Sequence, residues 1–354
     1  MKKKKKKKNK ININKKANYI LGGIFLLILI FIGIYYFIYN KKPLDVNVEK
    51  EPKTVEKEKS LQIVDLDSKT RPYAVMINNI GVARPLQSGL QDAYIMYEII
   101  VEGGLTRYLA LFIDKDIERI GSIRSARHYY LDYALENDAF YVHNGQSPQA
   151  QAQFSTLGVD RIEVGDTKTG WRDKKLKVAS EHTLFTSTEK LAKGIGSKRT
   201  ERKKELLLDY SIEEINLDKY NDAKIANNVD IQYSNHVKSS YVYDSISKNY
   251  KRFVNGKKHI DYVTEKQYSF KNIITYQVKN YSIKGDSSGR QDLNNIGEGT
   301  GYYITNGYAV PITWSKSSRS SQTVYKYQNG EEIIVNDGNT FIQIQPLNKS
   351  LIIN

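Results

Sequence analysis

Twenty-one consecutive residues, Tyr19 to Tyr39, carry no charge and are rich in Ile, Leu and Phe. A bilayer core needs about 20 apolar residues to cross it as a helix. Tyr19 at one end and Tyr35, Tyr36 and Tyr39 at the other suit the two interfaces. Ten lysines precede the run and two follow it. That asymmetry predicts a cytoplasmic N-terminus and places everything after residue 40 outside. A cleaved signal peptide ranks lower, because the run is long for one and no small-residue cleavage site precedes Lys41. The lysine tail also suits anionic lipid on the inner leaflet.

The same lysines account for most of the net charge. Residues 1–42 carry twelve of the +15 and no acid, leaving +3 for the remainder. The exported part therefore lacks a nucleic-acid footprint. With no cysteine there is no disulfide, thiol nucleophile or acylated-cysteine anchor. Composition then divides the chain into a basic tail (1–18), a transmembrane anchor (19–39), a charged stalk (40–70) of alternating Lys and Glu, an α/β or α+β domain (71–210), a boundary (211–227) and a smaller β-rich domain (228–354).

Within the first domain, Met96-Tyr-Glu-Ile-Ile-Val-Glu-Gly-Gly-Leu-Thr-Arg107 reads as two strands joined at Gly103-Gly104. A two-residue turn sets Glu102 opposite Leu105, Ile100 opposite Arg107 and Glu98 opposite Leu109. Alternation then places Glu98, Ile100 and Glu102 on one face, with Arg107 diagonal to both carboxylates. Such an acid–cation–acid face is either a structural ion-pair cluster or a polar site at a hairpin tip.

Downstream, Ser125 is expected to cap a helix over 126–136, with Arg124 and Arg127 beside its N-terminus. Arginines there work against the helix dipole, so a carboxylate, Glu98 or Glu102, or an external anion is expected to hold them. Residues 139–142 form a strand delivering His143 and Asn144 at its C-terminal end, where open α/β sheets line crevices. Ser147-Pro148 opens a second helix ending near Gly158. His182 is a weaker candidate of the same kind as His143, and a satisfied structural histidine is as good a reading of either. His128 and Asp132, one turn apart, give only two ligands, so no metal is expected. The glycines at 194–196 lack a phosphate-loop ending, and no cofactor is expected. From residue 229, Asn255-Gly256, Asn306-Gly307, Asn329-Gly330 and Asp337-Gly338 punctuate Tyr- and Val-rich strands.

Several runs together resemble the YerB-like family of bacterial cell-surface proteins. They are Arg71-Pro-Tyr-Ala-Val-Met-Ile-Asn78, Ala83-Arg-Pro-Leu-Gln-Ser-Gly89, Tyr97 to Arg107, Gly121-Ser-Ile-Arg-Ser-Ala-Arg127, Tyr141-Val-His143, Gly289-Arg290, Gly301 to Gly307 and Gly338 to Pro346. The resemblance spans residues 71–346. It implies an extracytoplasmic, two-part, lipoprotein-like protein, although here a lysine-flanked span stands where the family has an acylated cysteine.

Two functions stand open. In the first, the protein cleaves peptidoglycan glycan strands as a glycosidase or lytic transglycosylase. Glu102 would be the general acid and Glu98 its assistant, with Arg107, Arg124, Arg127, His143 and Asn144 binding substrate. Four residues along a strand separate the two carboxylates by about 13 Å, so they must lean together or Glu102 must act alone. In the second, the chain is a non-catalytic envelope binding or scaffold protein whose Glu–Arg cluster is structural. Its partners would be peptidoglycan or another envelope protein.

Overall fold

The computed structural model describes residues 13–40, 60–165 and 167–354, and most of the basic tail and stalk lie outside them. The charge-free run lies within a single helix, Ile13–Tyr39. Its Ile20–Tyr39 part has mean hydropathy 2.6 and no buried share, long and apolar enough to cross a membrane. This helix belongs to a unit, Met1–Glu58, separate from the compact unit Lys59–Asn354.

The compact unit is built on an eleven-stranded mixed sheet. Its strands come from two parts of the chain that meet at the centre. Thr340–Pro346, near the C-terminus, runs parallel to Ile95–Ile100 on one side and parallel to Asn272–Val278 on the other. Beyond Ile95–Ile100 come Thr106–Phe112, Tyr73–Asn78, Phe140–His143 and Arg161–Glu163. Beyond Asn272–Val278 come Gly297–Thr305 and Tyr308–Lys316. The two segments that composition sets apart at 211–227 are thus joined edge to edge in one sheet. Composition cannot report this, because strand pairing across more than 240 residues leaves no local trace.

Both faces of the central strands are buried. On one face Tyr97, Ile99, Leu109 and Leu111 pack with Tyr129, Tyr130, Leu131 and Tyr133 from the short helix Tyr130–Glu136 and its lead-in. On the other, Met96, Ile100, Tyr108 and Ala110 pack with Val229, Ile231, Tyr241 and Phe270 of a six-stranded C-terminal sheet. Fully covered strands explain why Ile95–Ile100 and Thr106–Phe112 read as continuous apolar runs. Asn255-Gly256 and Asn306-Gly307 form the expected two-residue turns, with φ of 50° and 75°, and 49° and 81°. Asp337-Gly338 does not, since its flanking strands pair elsewhere.

Two charged side chains of the first segment are buried against charged side chains of the second. Glu98 Oε2 lies 2.7 Å from Arg252 Nη2, and both side chains are fully buried. Glu136 Oε2 lies 2.7 Å from Lys316 Nζ, also buried. Removing one member of such a pair strands the other, costing about 3–5 kcal/mol, whereas replacing both by apolar groups is often neutral. Urea unfolding of residues 60–354 should therefore show one transition by both fluorescence and circular dichroism. Arg252→Met should lose several kcal/mol of stability, most of it recovered in the Glu98→Leu/Arg252→Met double variant. Two separate transitions in the parent would break the picture of one interlocked unit.

Candidate functional site

The hairpin register differs by one residue from the expected one. Val101 N–H donates to Leu105 O at 2.7 Å, enclosing a three-residue turn, Glu102–Gly104, in place of a two-residue one. Glu98 then faces Tyr108, and Arg107 faces Ile99. A one-residue slip flips side chains to the opposite face. Glu98 and Arg107 consequently point to opposite sides of the sheet, and the expected acid–cation–acid face does not form.

What forms is two separate sites. Glu98 is enclosed on the C-terminal face. Its carboxylate accepts from Thr106 Oγ1, Ser239 Oγ and Arg252 Nη2, each at 2.7 Å, and from Asn79 Nδ2 at 3.3 Å. Arg252 also donates to His259, which burial and then the Arg252 charge keep neutral. With every oxygen engaged and no exposure, Glu98 has no access to substrate, which corrects its expected assisting role.

Glu102 lies at the tip, its side chain about one quarter exposed at 26%. Arg127 grips it with two donors, Nε to Oε2 at 2.9 Å and Nη2 to Oε1. Arg107 Nη2 approaches the same Oε1 at 3.3 Å. Burial alone would push this carboxyl up. The Arg127 hydrogen bond and the charges of Arg107 and Arg127 outweigh it and hold it down at about 2. Burial, then the neighbouring Arg127 charge, pull Arg107 down to about 10. Arg127 moves the other way: burial lowers it, but the Glu102 hydrogen bond and charge together outweigh that and raise it. Two guanidiniums thus share one carboxylate, and the second partners are backbone carbonyls: Arg107 donates to Ser125 O and Arg127 to Ala126 O.

Those carbonyls explain why the helix begins late. Ser125 does not cap it, and the helix is Tyr130–Glu136 with no side-chain cap. Ala126 is instead tied to the loop after His143, accepting from Ser147 N at 3.1 Å and donating to Gly145 O at 2.9 Å. A residue held extended in this way cannot start a helix, so the N-terminus falls at Tyr129–Tyr130 and not at Ser125. Arg124 points elsewhere and pairs with Glu181 at 3.0 Å, not with Glu98 or Glu102.

His143 and Asn144 are brought beside this segment but turned inward. His143 is fully buried, its ring stacked on Phe154 at 5.2 Å. Burial holds its pKa at about 4 against the opposing hydrogen bond to Gly145 O. Asn144 Nδ2 donates to Val164 O at 2.8 Å. His182 is likewise buried, against Asn78. His128 and Asp132 do not converge on a common point: His128 meets Asp292, and Asp132 meets Arg319 and Asn295. Among the described residues no group of three or more His, Asp or Glu is placed to hold a metal ion. Sequence reading missed Arg252, Ser239 and Glu181, the true partners of Glu98 and Arg124, because nothing local links residues so far apart.

Two large clefts open on the surface, of about 1080 and 640 Å³. None of Glu98, Glu102, Arg107, Arg124, Arg127, His143 or Asn144 lines either one. The larger lies between Asn272–Val278 and Gly297–Thr305, and the smaller between Arg84-Pro85 and the Asn255 to Glu265 stretch.

Comparison with known proteins agrees with the architecture. Residues 61–201 match the model described as the N-terminal domain of a protein of unknown function, DUF3048, and residues 229–342 match the corresponding C-terminal domain. The Bacillus subtilis protein named "Putative lipoprotein YerB" is 30% identical over 285 residues, covering 78% of this chain and 81% of its own. The crystal structure of YerB from Bacillus subtilis superposes with a TM-score of 0.68 at 28% identity, covering 80% of this chain and 94% of that one. With both family domains present in order and a relative matched over most of its length, the chain belongs to the YerB-like DUF3048 family.

Proposed function

We propose that the protein is a membrane-anchored, extracytoplasmic envelope protein that works by binding and not by cleaving glycan. The observation that carries this reading is the state of Glu102. A glycosidic general acid must hold its proton near neutral pH, which requires a raised pKa. Glu102 is instead gripped by Arg127 and Arg107 and held near 2. Glu98, the only other carboxylate expected to assist, is sealed in an ion pair on the opposite face. The residues that suggested catalysis therefore serve the fold, leaving the open clefts elsewhere as the surfaces for partners.

The anchoring half of the proposal rests on the Ile20–Tyr39 helix and the lysines before it. Ten lysines ahead of the helix favour a cytoplasmic N-terminus and an exported compact unit. The helix would do for this chain what a lipid does for a lipoprotein, as the relative's name describes that protein. A reporter fused after Asn354 should be active only when it folds outside the cell, and cytoplasmic activity would reverse the topology.

The compact unit holds both cores, so residues 60–354 suffice for the main test. Incubated with purified peptidoglycan, they should release no soluble muropeptides detectable by mass spectrometry. Release that disappears in Glu102→Gln would sink the binding reading. Glu102→Gln should instead cost stability, roughly 1–2 kcal/mol, below the fully buried case because the side chain is partly exposed. The sign follows from the depressed carboxyl. Its contribution is full above the unfolded value of about 4.5 and is lost as pH falls toward about 2. Urea midpoints of parent and variant should therefore differ at pH 7 and converge as pH drops below about 4.5.

A further inference from the structure

The Gly297–Thr305 strand pairs with Tyr308–Lys316 along its whole length, from Thr305↔Tyr308 to Gly297↔Lys316. On its other side, pairing with Asn272–Val278 stops at Gly301↔Tyr276. The two-residue turn at Asn306-Gly307 closes on Thr305 and Tyr308, so alternation aims the N–H and C=O of Glu298 away from Tyr308–Lys316. They face the place where Asn272–Val278 has diverged. The 1080 Å³ cleft is that divergence, a split between neighbouring strands of one sheet.

Further features of the cleft bear on what it can hold. Thr275 and Trp314 lie at the floor of the cleft, where Thr275 Oγ1 and Trp314 Nε1 are buried without a hydrogen-bond partner among the described residues. Ile296 and Leu347 in the cleft wall are 40% and 48% exposed, beside an open backbone edge. Lys279 and Lys349 are exposed there without an acidic partner among the described residues, against the single acid Glu298. Gly299 and Gly301 keep the ribbon thin. A Cβ at Gly301 would lie 2.3 Å from Thr275 O, and one at Gly299 would lie 2.7 Å from Trp314 Nε1.

We propose that this split edge takes an extended polypeptide segment, apolar and acidic in alternation, as an added strand on Gly297–Thr300. An unpaired strand edge supplies main-chain hydrogen bonds, and flanking side chains select every second residue. A saccharide fits less well, because the aromatic faces it would stack on are taken. Trp314 is buried at 4.8 Å from the Tyr276 ring, and Lys224 Nζ sits 4.0 Å over Tyr302. The proposal rests on the binding reading above and gives it a partner class.

The test uses residues 60–354, which exclude the lysine tail, and a fluorescein-labelled hexapeptide alternating glutamate and valine. Fluorescence anisotropy should show saturable binding that survives in the parent but not with a hexapeptide N-methylated at alternate amides. Kd should rise at least about tenfold, or 1.4 kcal/mol, in Glu298→Pro and in Lys279→Glu/Lys349→Glu. Proline at Glu298 removes a donor that faces away from the neighbouring strand, as edge strands tolerate, and the lysine pair decides the matter if that variant misfolds. No saturable binding by the parent overturns the proposal, as does binding unchanged in the lysine double variant. So does preference for a chitin oligosaccharide over the peptide, or a parent dimer that Glu298→Pro dissolves. If the peptide fails while no muropeptides are released, this site alone falls and the binding reading stands.

Discussion

The ion pair between Glu98 and Arg252 constrains most of what surrounds it. Two fully buried charges must be matched closely, since taking each out of water costs several kcal/mol. Here the carboxylate gains Thr106, Ser239 and Asn79 as further donors, and the guanidinium gains Ser239, Tyr241 and His259. Rings of Tyr108 and Phe341 lie 5.0 and 4.9 Å from the guanidinium carbon. Such a site admits one register of the hairpin. Moved by one residue, Glu98 would turn to the tyrosine-rich face and Arg252 would be left buried without a countercharge. The turn therefore yields to the core: Glu102–Gly104 takes up the additional residue, and both Gly103 and Gly104 adopt φ of 67° to do so.

That register also decides the fate of Glu102. Displaced into the turn, it is reached by Arg127 from the segment before the helix and by Arg107 from the returning strand. The arginines in turn hold Ser125 and Ala126 through their carbonyls, which keeps that segment extended and shortens the helix to Tyr130–Glu136. Glu136 at the end of this helix is then placed to meet Lys316, while Tyr97 donates to its other oxygen at 2.7 Å. The two ion pairs across the segments are linked through one strand, since Tyr97 and Glu98 are adjacent and point to opposite faces.

Sequence patterning was informative where the forces are local. The strands near 73–78, 95–100, 106–112 and 140–143 follow from largely apolar runs, and the helix Pro148–Thr156 follows from Ser147, whose hydroxyl accepts from Ala150 N. The Glu102–Arg107–Arg127 grouping was legible because those residues lie within 26 positions of one another on elements that a short chain must bring together. The pairing of Ile95–Ile100 with Thr340–Pro346 was not, and neither were the partners of Glu98 and Arg124. A buried carboxylate announces that it needs a cation, but not which of the chain's many arginines and lysines will supply it.

The contrast between satisfied and unsatisfied polar groups separates structure from function here. At Glu98, Glu102 and Glu136 every carboxylate is met by protein donors, so these clusters complete themselves and present little to a partner. Some buried polar atoms have no hydrogen-bond partner among the described residues, such as His143 Nε2 and Tyr141 Oη, and their residues line neither large cleft. Thr275 and Trp314 differ in position, because these residues line the cleft beside the strand edge, although Thr275 Oγ1 and Trp314 Nε1 are themselves buried. The Asn272–Val278 strand keeps its pairing with Thr340–Pro346 to its last residue while parting from Gly297–Thr305 after Tyr276. The opening is therefore a local departure of one strand from one neighbour, and it is accompanied by glycines on the strand that stays behind. Side chains on Gly299 and Gly301 would collide with Trp314 and Thr275, so the glycines are needed for the packing beneath and at the same time leave the backbone above accessible.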